Sequence, residues 1–184
     1  MNRKLSSLLL TFILLIAIGQ AVSAEGQVKI GYDFPGNYLL KINDSSTSTP
    51  LKTGTSLCLE YLTPLDTFSN SRMGVGLEYQ SPRSLKDNAG EINFIALYWV
   101  ENIYFTAKTL TPYLTGRLGY NFFYNSTIDN PKGGLYTGLG GGFRLSPHTS
   151  VEAFYSLNTG SYSQGAATIS SYYTRASFLM GYSF

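Results

Sequence analysis

Counted back from the end of the chain, every second residue is apolar: Phe184, Tyr182, Met180, Phe178 and Ala176. The residues between them, Ser183, Gly181, Leu179, Ser177 and Arg175, are mostly small or polar. A period of two describes a strand, and here the greasy side faces a polar one. A transmembrane β-barrel has this inside-out alternation, with apolar side chains toward lipid and polar ones toward the lumen. The pattern recurs and predicts strands near 27–34, 55–62, 72–80, 91–106, 112–124, 134–145, 151–159 and 172–184. In the fourth of these, Phe94/Ala96/Tyr98/Val100 and Ile95/Leu97/Trp99 are equally able to meet lipid, so its facing stays open.

Most of these segments reach the roughly 9 to 11 residues that a tilted strand needs to cross a bilayer. The connections after the first, third, fifth and seventh strands, over 36–53, 82–90, 125–133 and 160–171, are polar and rich in Ser, Thr, Asn, Gly and Pro. Those after the fourth and sixth, 107–111 and 146–150, are tight, and 63–71 is longer. The expectation is an all-β domain over 25–184, an eight-stranded antiparallel up-and-down transmembrane β-barrel. Long connections belong outside the cell and short ones in the periplasm. An even strand count then leaves both termini periplasmic.

The start of the chain points to the same destination. Arg3 and Lys4 precede an apolar run over 8–18 and the small residues Val22-Ser23-Ala24, so residues 1–24 read as a cleavable secretory signal. The run is shorter than the ~20 residues of a spanning helix. Without Arg3 and Lys4, 13 − 2 = 11 basic residues face 11 acidic ones, and such a neutral chain offers nucleic acid nothing. Cys58 is the only cysteine, which excludes an internal disulfide. Among the 15 Tyr and 11 Phe, those near strand ends (Tyr32, Phe34, Tyr61, Tyr79, Tyr120, Tyr124 and Tyr182) fit the aromatic girdles of a membrane interface.

Parity assigns the faces. With Leu118, Tyr120 and Phe122 toward lipid, Arg117 points inward, and the same counting brings in Arg144 with Gly138, Gly140 and Gly142. The expected lumen holds Lys29, Arg117, Arg144 and Arg175 opposite Asp33, Glu60, Glu78 and Glu152, four of each sign. An eight-stranded barrel is just wide enough for side chains to fill, and buried charges of both signs should pair. A conduction path would instead favour a ring of one sign.

The stretches Pro112-Tyr113-Leu114-Thr115-Gly116-Arg117-Leu118-Gly119-Tyr120 and Gly138-Leu139-Gly140-Gly141-Gly142-Phe143-Arg144-Leu145, with the ending Gly181-Tyr182-Ser183-Phe184, resemble the small outer-membrane barrels of the OmpA/OmpX type. The alternation Phe178, Met180, Tyr182, Phe184 also resembles the terminal signal read by the outer-membrane assembly machinery. That resemblance implies a bacterial outer-membrane protein in contact with lipid and lipopolysaccharide, monomeric and without cofactor. It also implies several roles: structural or adhesion-like through the outer loops, carrier of a small hydrophobic molecule, or lipid-modifying enzyme. Fold does not choose among them. For an enzyme, His148-Thr149-Ser150 has the His-x-Ser spacing of the barrel deacylases but falls in a predicted periplasmic turn, while Phe154-Tyr155-Ser156-Leu157-Asn158 lacks the histidine that would activate a serine. One histidine cannot build a histidine metal cluster. The expectation is therefore a non-enzymatic barrel whose outer loops meet any extracellular ligand.

Overall fold

The computed structural model describes residues 24–42, 45–65, 68–85, 91–105, 110–125, 131–164 and 167–184. Most of the expected secretory signal, and parts of the connections after the first, third, fifth and seventh predicted strands, lie outside them. Ten strands form in chain order: β1 (Glu25–Asp33), β2 (Gly36–Ile42), β3 (Ser45–Leu51), β4 (Gly54–Leu65), β5 (Phe68–Ser84), β6 (Glu91–Tyr104), β7 (Thr111–Asn125), β8 (Lys132–Arg144), β9 (Thr149–Gln164) and β10 (Ala167–Ser183). All pairings are antiparallel. The order runs β1-β4-β5-β6-β7-β8-β9-β10, and β10 pairs back onto β1, so eight strands close a ring. No helix among the described residues is long and apolar enough to cross a membrane.

The two additional strands form within the expected first outer loop, as continuations of the first two expected strands beyond a break in each. β2 pairs with β10 directly beyond β1, and β3 pairs with β2 in the register that β4 keeps with β1: Gly36 lies opposite Leu51 and Asp33 opposite Gly54. The breaks at Phe34-Pro35 and at Lys52-Thr53 therefore face each other. Pro35 has no N–H for a ladder. Along β10, three steps separate the partners of Asp33 (Ser177) and Asn37 (Thr174), against four steps on the other side, so the break is also a one-residue bulge.

This region corrects the expected boundaries. Residues 36–51, read as an outer loop, instead form a β-hairpin whose turn lies outside the described residues. Strands also run further than expected into 82–84, 160–164 and 167–171. Ser, Thr and Tyr continue a ladder well once the neighbouring strand is in place. The start of β1 meets the last residue at the opposite rim, where Gly26 and Phe184 exchange backbone hydrogen bonds of 3.2 and 2.9 Å.

The outer wall is a band of exposed apolar side chains, among them Ile30, Leu57, Leu97, Trp99, Leu118, Leu139, Phe178 and Met180. A soluble domain would bury these, and on a barrel they meet lipid. The fourth expected strand, β6, now has a definite facing. Phe94, Ala96, Tyr98, Val100 and Asn102 are buried inward, while Ile95, Leu97, Trp99 and Ile103 point out.

Candidate functional site

Eight strands enclose a narrow lumen that these side chains fill. Cross-strand pairing sets Lys29 beside Cys58, and Glu60 and Glu152 project inward from β4 and β9. Lys29 Nζ lies 3.0 Å from Glu60 and 2.7 Å from Glu152. From the far wall, Arg117 Nη2 reaches the same two carboxylates at 3.0 and 2.8 Å. Two cations and two anions thus occupy the corners of a square, each at most 3% exposed. The tyrosine hydroxyls of Tyr98 and Tyr113 donate to Glu60 and Glu152 at 2.9 and 3.1 Å. Arg117 lies flat over Phe154, 4.1 Å from the ring centre. Gly138 and Gly140 leave room for that ring, since a Cβ at either would come within 2.6 Å of it.

One layer toward the loop end, Arg175 bridges Asp33 and Glu78, which pair with it directly, and its Nε donates to Ser156 at 3.0 Å. Tyr136 donates to Glu78 at 2.5 Å and Ser177 to Asp33 at 2.6 Å. Above comes a neutral polar belt, where Gln80 donates to Asn158 at 3.3 Å and Asn121 to the Thr159 carbonyl at 2.8 Å. Several belt atoms, Gln80 Oε1, Asn121 Oδ1 and Asn158 Nδ2, are buried without a hydrogen-bond partner among the described residues. An aromatic layer ends the lumen. Phe94 stacks on Phe123 and Tyr173 at 5.1 and 5.3 Å between ring centres, and Tyr38, Leu51, Leu85 and Ile92 pack around them.

Of the eight residues expected to line the lumen, Lys29, Asp33, Glu60, Glu78, Arg117, Glu152 and Arg175 lie in these two ionic layers. Arg144 requires correction. It does point inward, but so close to the end of β8 that it stands at the terminal mouth, with its side chain 23% exposed. There it holds Glu25 at 3.0 Å and does not join the network; Arg72 pairs with the same carboxylate, and Tyr104 lies beside both guanidinium groups.

Arg83 replaces it as a buried cation that simple parity misses. Between Gln80 and Arg83 three steps on β5 face two on β6, from Phe94 to Ile92, and this bulge at Ser81-Pro82 turns Arg83 from the wall into the lumen. Pro82, just past the end of the third predicted strand, was the available signal. The remaining expected residues lie elsewhere. Phe178, Met180, Tyr182 and Phe184 form an exposed apolar row on β10 and at the chain end. His148 sits in the short turn before β9, stacked on Tyr182, with Nδ1 3.0 Å from the Ser183 carbonyl. Of the residues expected in the girdles, Tyr32, Phe34, Tyr79, Tyr120, Tyr124 and Tyr182 are exposed on the outer wall, while Tyr61 is half-buried.

A closed antiparallel ring with an apolar exterior and an ion-paired interior defines the fold of a small transmembrane β-barrel. Among solved structures the chain is similar to the outer membrane protein OprG from Pseudomonas aeruginosa, with 14% identity, a TM-score of 0.51 and coverage of 89% of this chain and 96% of that one. It is also similar to Neisserial surface protein A, at 13% identity and TM-score 0.48 over 88% and 97% of the two chains. A further match is Ail, the attachment invasion locus protein of Yersinia pestis, at 15% identity and TM-score 0.42 over 88% and 99%. No protein-family model and no curated relative matches the sequence. At these identities the likeness is one of fold.

Proposed function

We propose that this chain is a monomeric, non-enzymatic outer-membrane barrel whose lumen is closed by its own side chains, and that its role, structural or adhesion-like, is carried by the loop end. The observation that carries this reading is the pair of ionic layers. Arg117 and Arg175 reach across the lumen to carboxylates on other strands, and an aromatic layer lies above them. A filled lumen leaves the extracellular loops as the available recognition surface. In this reading residues 1–24 are removed on export, both termini stand in the periplasm, lipopolysaccharide surrounds the outer half, and the Phe178 to Phe184 row is presented to the assembly machinery. The test has two parts. The purified barrel in planar bilayers should show no stable porin-like conductance, and exchange of the four outer loops should abolish partner binding while insertion is kept. A steady open-pore conductance would overturn the closed-lumen part; binding that survives loop exchange would overturn the surface role.

A second reading, a carrier of a small hydrophobic molecule, is supported by one feature. An apolar groove of about 500 Å³ lies on the outer wall against the strand break, lined by Phe34, Leu139, Tyr155, Ala176 and Phe178. Uptake of an apolar probe into proteoliposomes, lost on filling the groove with Ala176→Trp and retained after loop exchange, would favour this reading over the first.

A further inference from the structure

Arg83 spans the seam in the barrel wall. Its Nη2 donates to the Phe34 carbonyl at 2.8 Å, and both its Nε, at 2.8 Å, and its Nη2 donate to the carbonyl of Lys52. These carbonyls stand at the two facing breaks, one between β1 and β2 and the other between β3 and β4. Pro35 has no N–H with which to continue the ladder there, and the guanidinium supplies donors in its place. Gly54 makes the approach possible, since a Cβ there would stand 2.8 Å from Arg83 Cδ. The guanidinium also lies over the Tyr173 ring, 5.3 Å from its centre. One buried side chain thus joins both interrupted strands to β5 and to the aromatic layer.

Beyond the breaks, the β2–β3 hairpin covers the loop end of the lumen. Tyr38 and Leu51 are each 2% exposed, packed into the layer of Phe94, Phe123 and Tyr173, while residues 45–48 stand exposed. Below the breaks the ring is already closed by β1 and β10 over Gln27 to Asp33. Once its short ladder to β10, from Asn37–Thr174 to Lys41–Ser170, and the Leu51–Leu85 bridge are released, the hairpin can swing about a line through Phe34-Pro35 and Lys52-Thr53 without opening the barrel below. Beneath it lies the polar belt, with buried amide atoms that have no partner among the described residues and that would gain water on opening.

We propose that the β2–β3 hairpin is a lid over the loop end of the lumen, hinged at the paired strand breaks and held shut by its short ladder to β10 together with the Arg83 guanidinium on the Phe34 and Lys52 carbonyls. Weakening the latch should open the lid while leaving the barrel intact. The experiment compares the full-length exported protein with R83Q in lipid nanodiscs, by hydrogen exchange resolved to the 36–51 segment. R83Q should exchange about tenfold or more faster there, with 92–100 of β6 unchanged, because a local opening exposes only its own amides. Joining β2 to β10 with Leu39→Cys and Tyr172→Cys, Cα partners across that ladder, in a Cys58→Ala background should remove the faster exchange when oxidised and restore it when reduced. Unchanged exchange in the hairpin, or acceleration spread equally over β6, would overturn the proposal. So would failure of R83Q to assemble, because a latch on the hairpin is not needed to close the ring beneath it.

Discussion

Glu152 offers the sharpest test of the ionic square. Glu152→Gln keeps the side-chain volume but leaves Lys29 and Arg117, now 2.7 and 2.8 Å from its oxygens, to share Glu60 alone. The site is 1% exposed, so water cannot supply the missing counter-charge. Removing one partner of a buried pair costs about 3 to 5 kcal/mol, mostly because the charge left behind is uncompensated. The control is Arg144→Gln. That guanidinium stands 23% exposed at the mouth and shares Glu25 with Arg72, and a pair in such contact with solvent is worth about 0 to 1 kcal/mol. A second control pairs Lys29→Met with Glu152→Gln, which leaves Arg117 and Glu60 as a single neutral couple. The double variant should be more stable than the sum of its two singles implies, by a coupling of about 1 to 3 kcal/mol. Reversible urea unfolding in lipid vesicles measures all four. Trp99, the only tryptophan, reports directly, because it lies on the lipid face and enters water on unfolding. A Glu152→Gln loss below about 1 kcal/mol, or a cycle that closes additively, would refute the claim that the square is a mutually dependent buried network.

Phe184→Asp keeps the backbone exchange with Gly26 and removes the terminal aromatic, so the heat-modifiable folded form should fall in cell membranes while refolding into detergent in vitro is preserved; normal membrane levels would count against a terminal assembly signal. Gly138→Ala sets a methyl group 2.4 Å from the Phe154 ring and should destabilise the barrel by about 1 to 3 kcal/mol through overpacking, read in the same urea titration. Brominated acyl chains should quench Trp99 strongly and iodide in the water only weakly, and the reverse order would contradict the facing of β6.

Much of this protein was legible in the order of its residues. A period of two needs no tertiary information, because successive side chains of a strand must point to opposite faces. Once Leu118, Tyr120 and Phe122 are assigned to lipid, Arg117 and Asn121 follow inward, and seven charges on six strands could be placed in one lumen before any pairing was known. The barrel class follows as well, since only a closed ring turns the apolar face outward and leaves no backbone group unpaired in lipid.

Tertiary structure decided whatever parity could not reach. On β6 both faces are apolar. The choice fell to Tyr98, whose hydroxyl finds Glu60, and to Phe94, which finds Phe123 and Tyr173; Trp99 and Leu97 have no such partners inside. Bulges at Ser81-Pro82 and at Phe34-Pro35 each add one residue and so reverse the count beyond them, which is how Arg83 became a lumen residue. Arg144 kept its predicted face but not its predicted place in the lumen network, because position along a strand sets depth and parity carries no information about depth. The pairing itself, with Lys29 and Arg117 sharing Glu60 and Glu152 from four different strands, depends on strand stagger around the ring. That stagger is a property of barrel closure, and no single segment of the chain contains it.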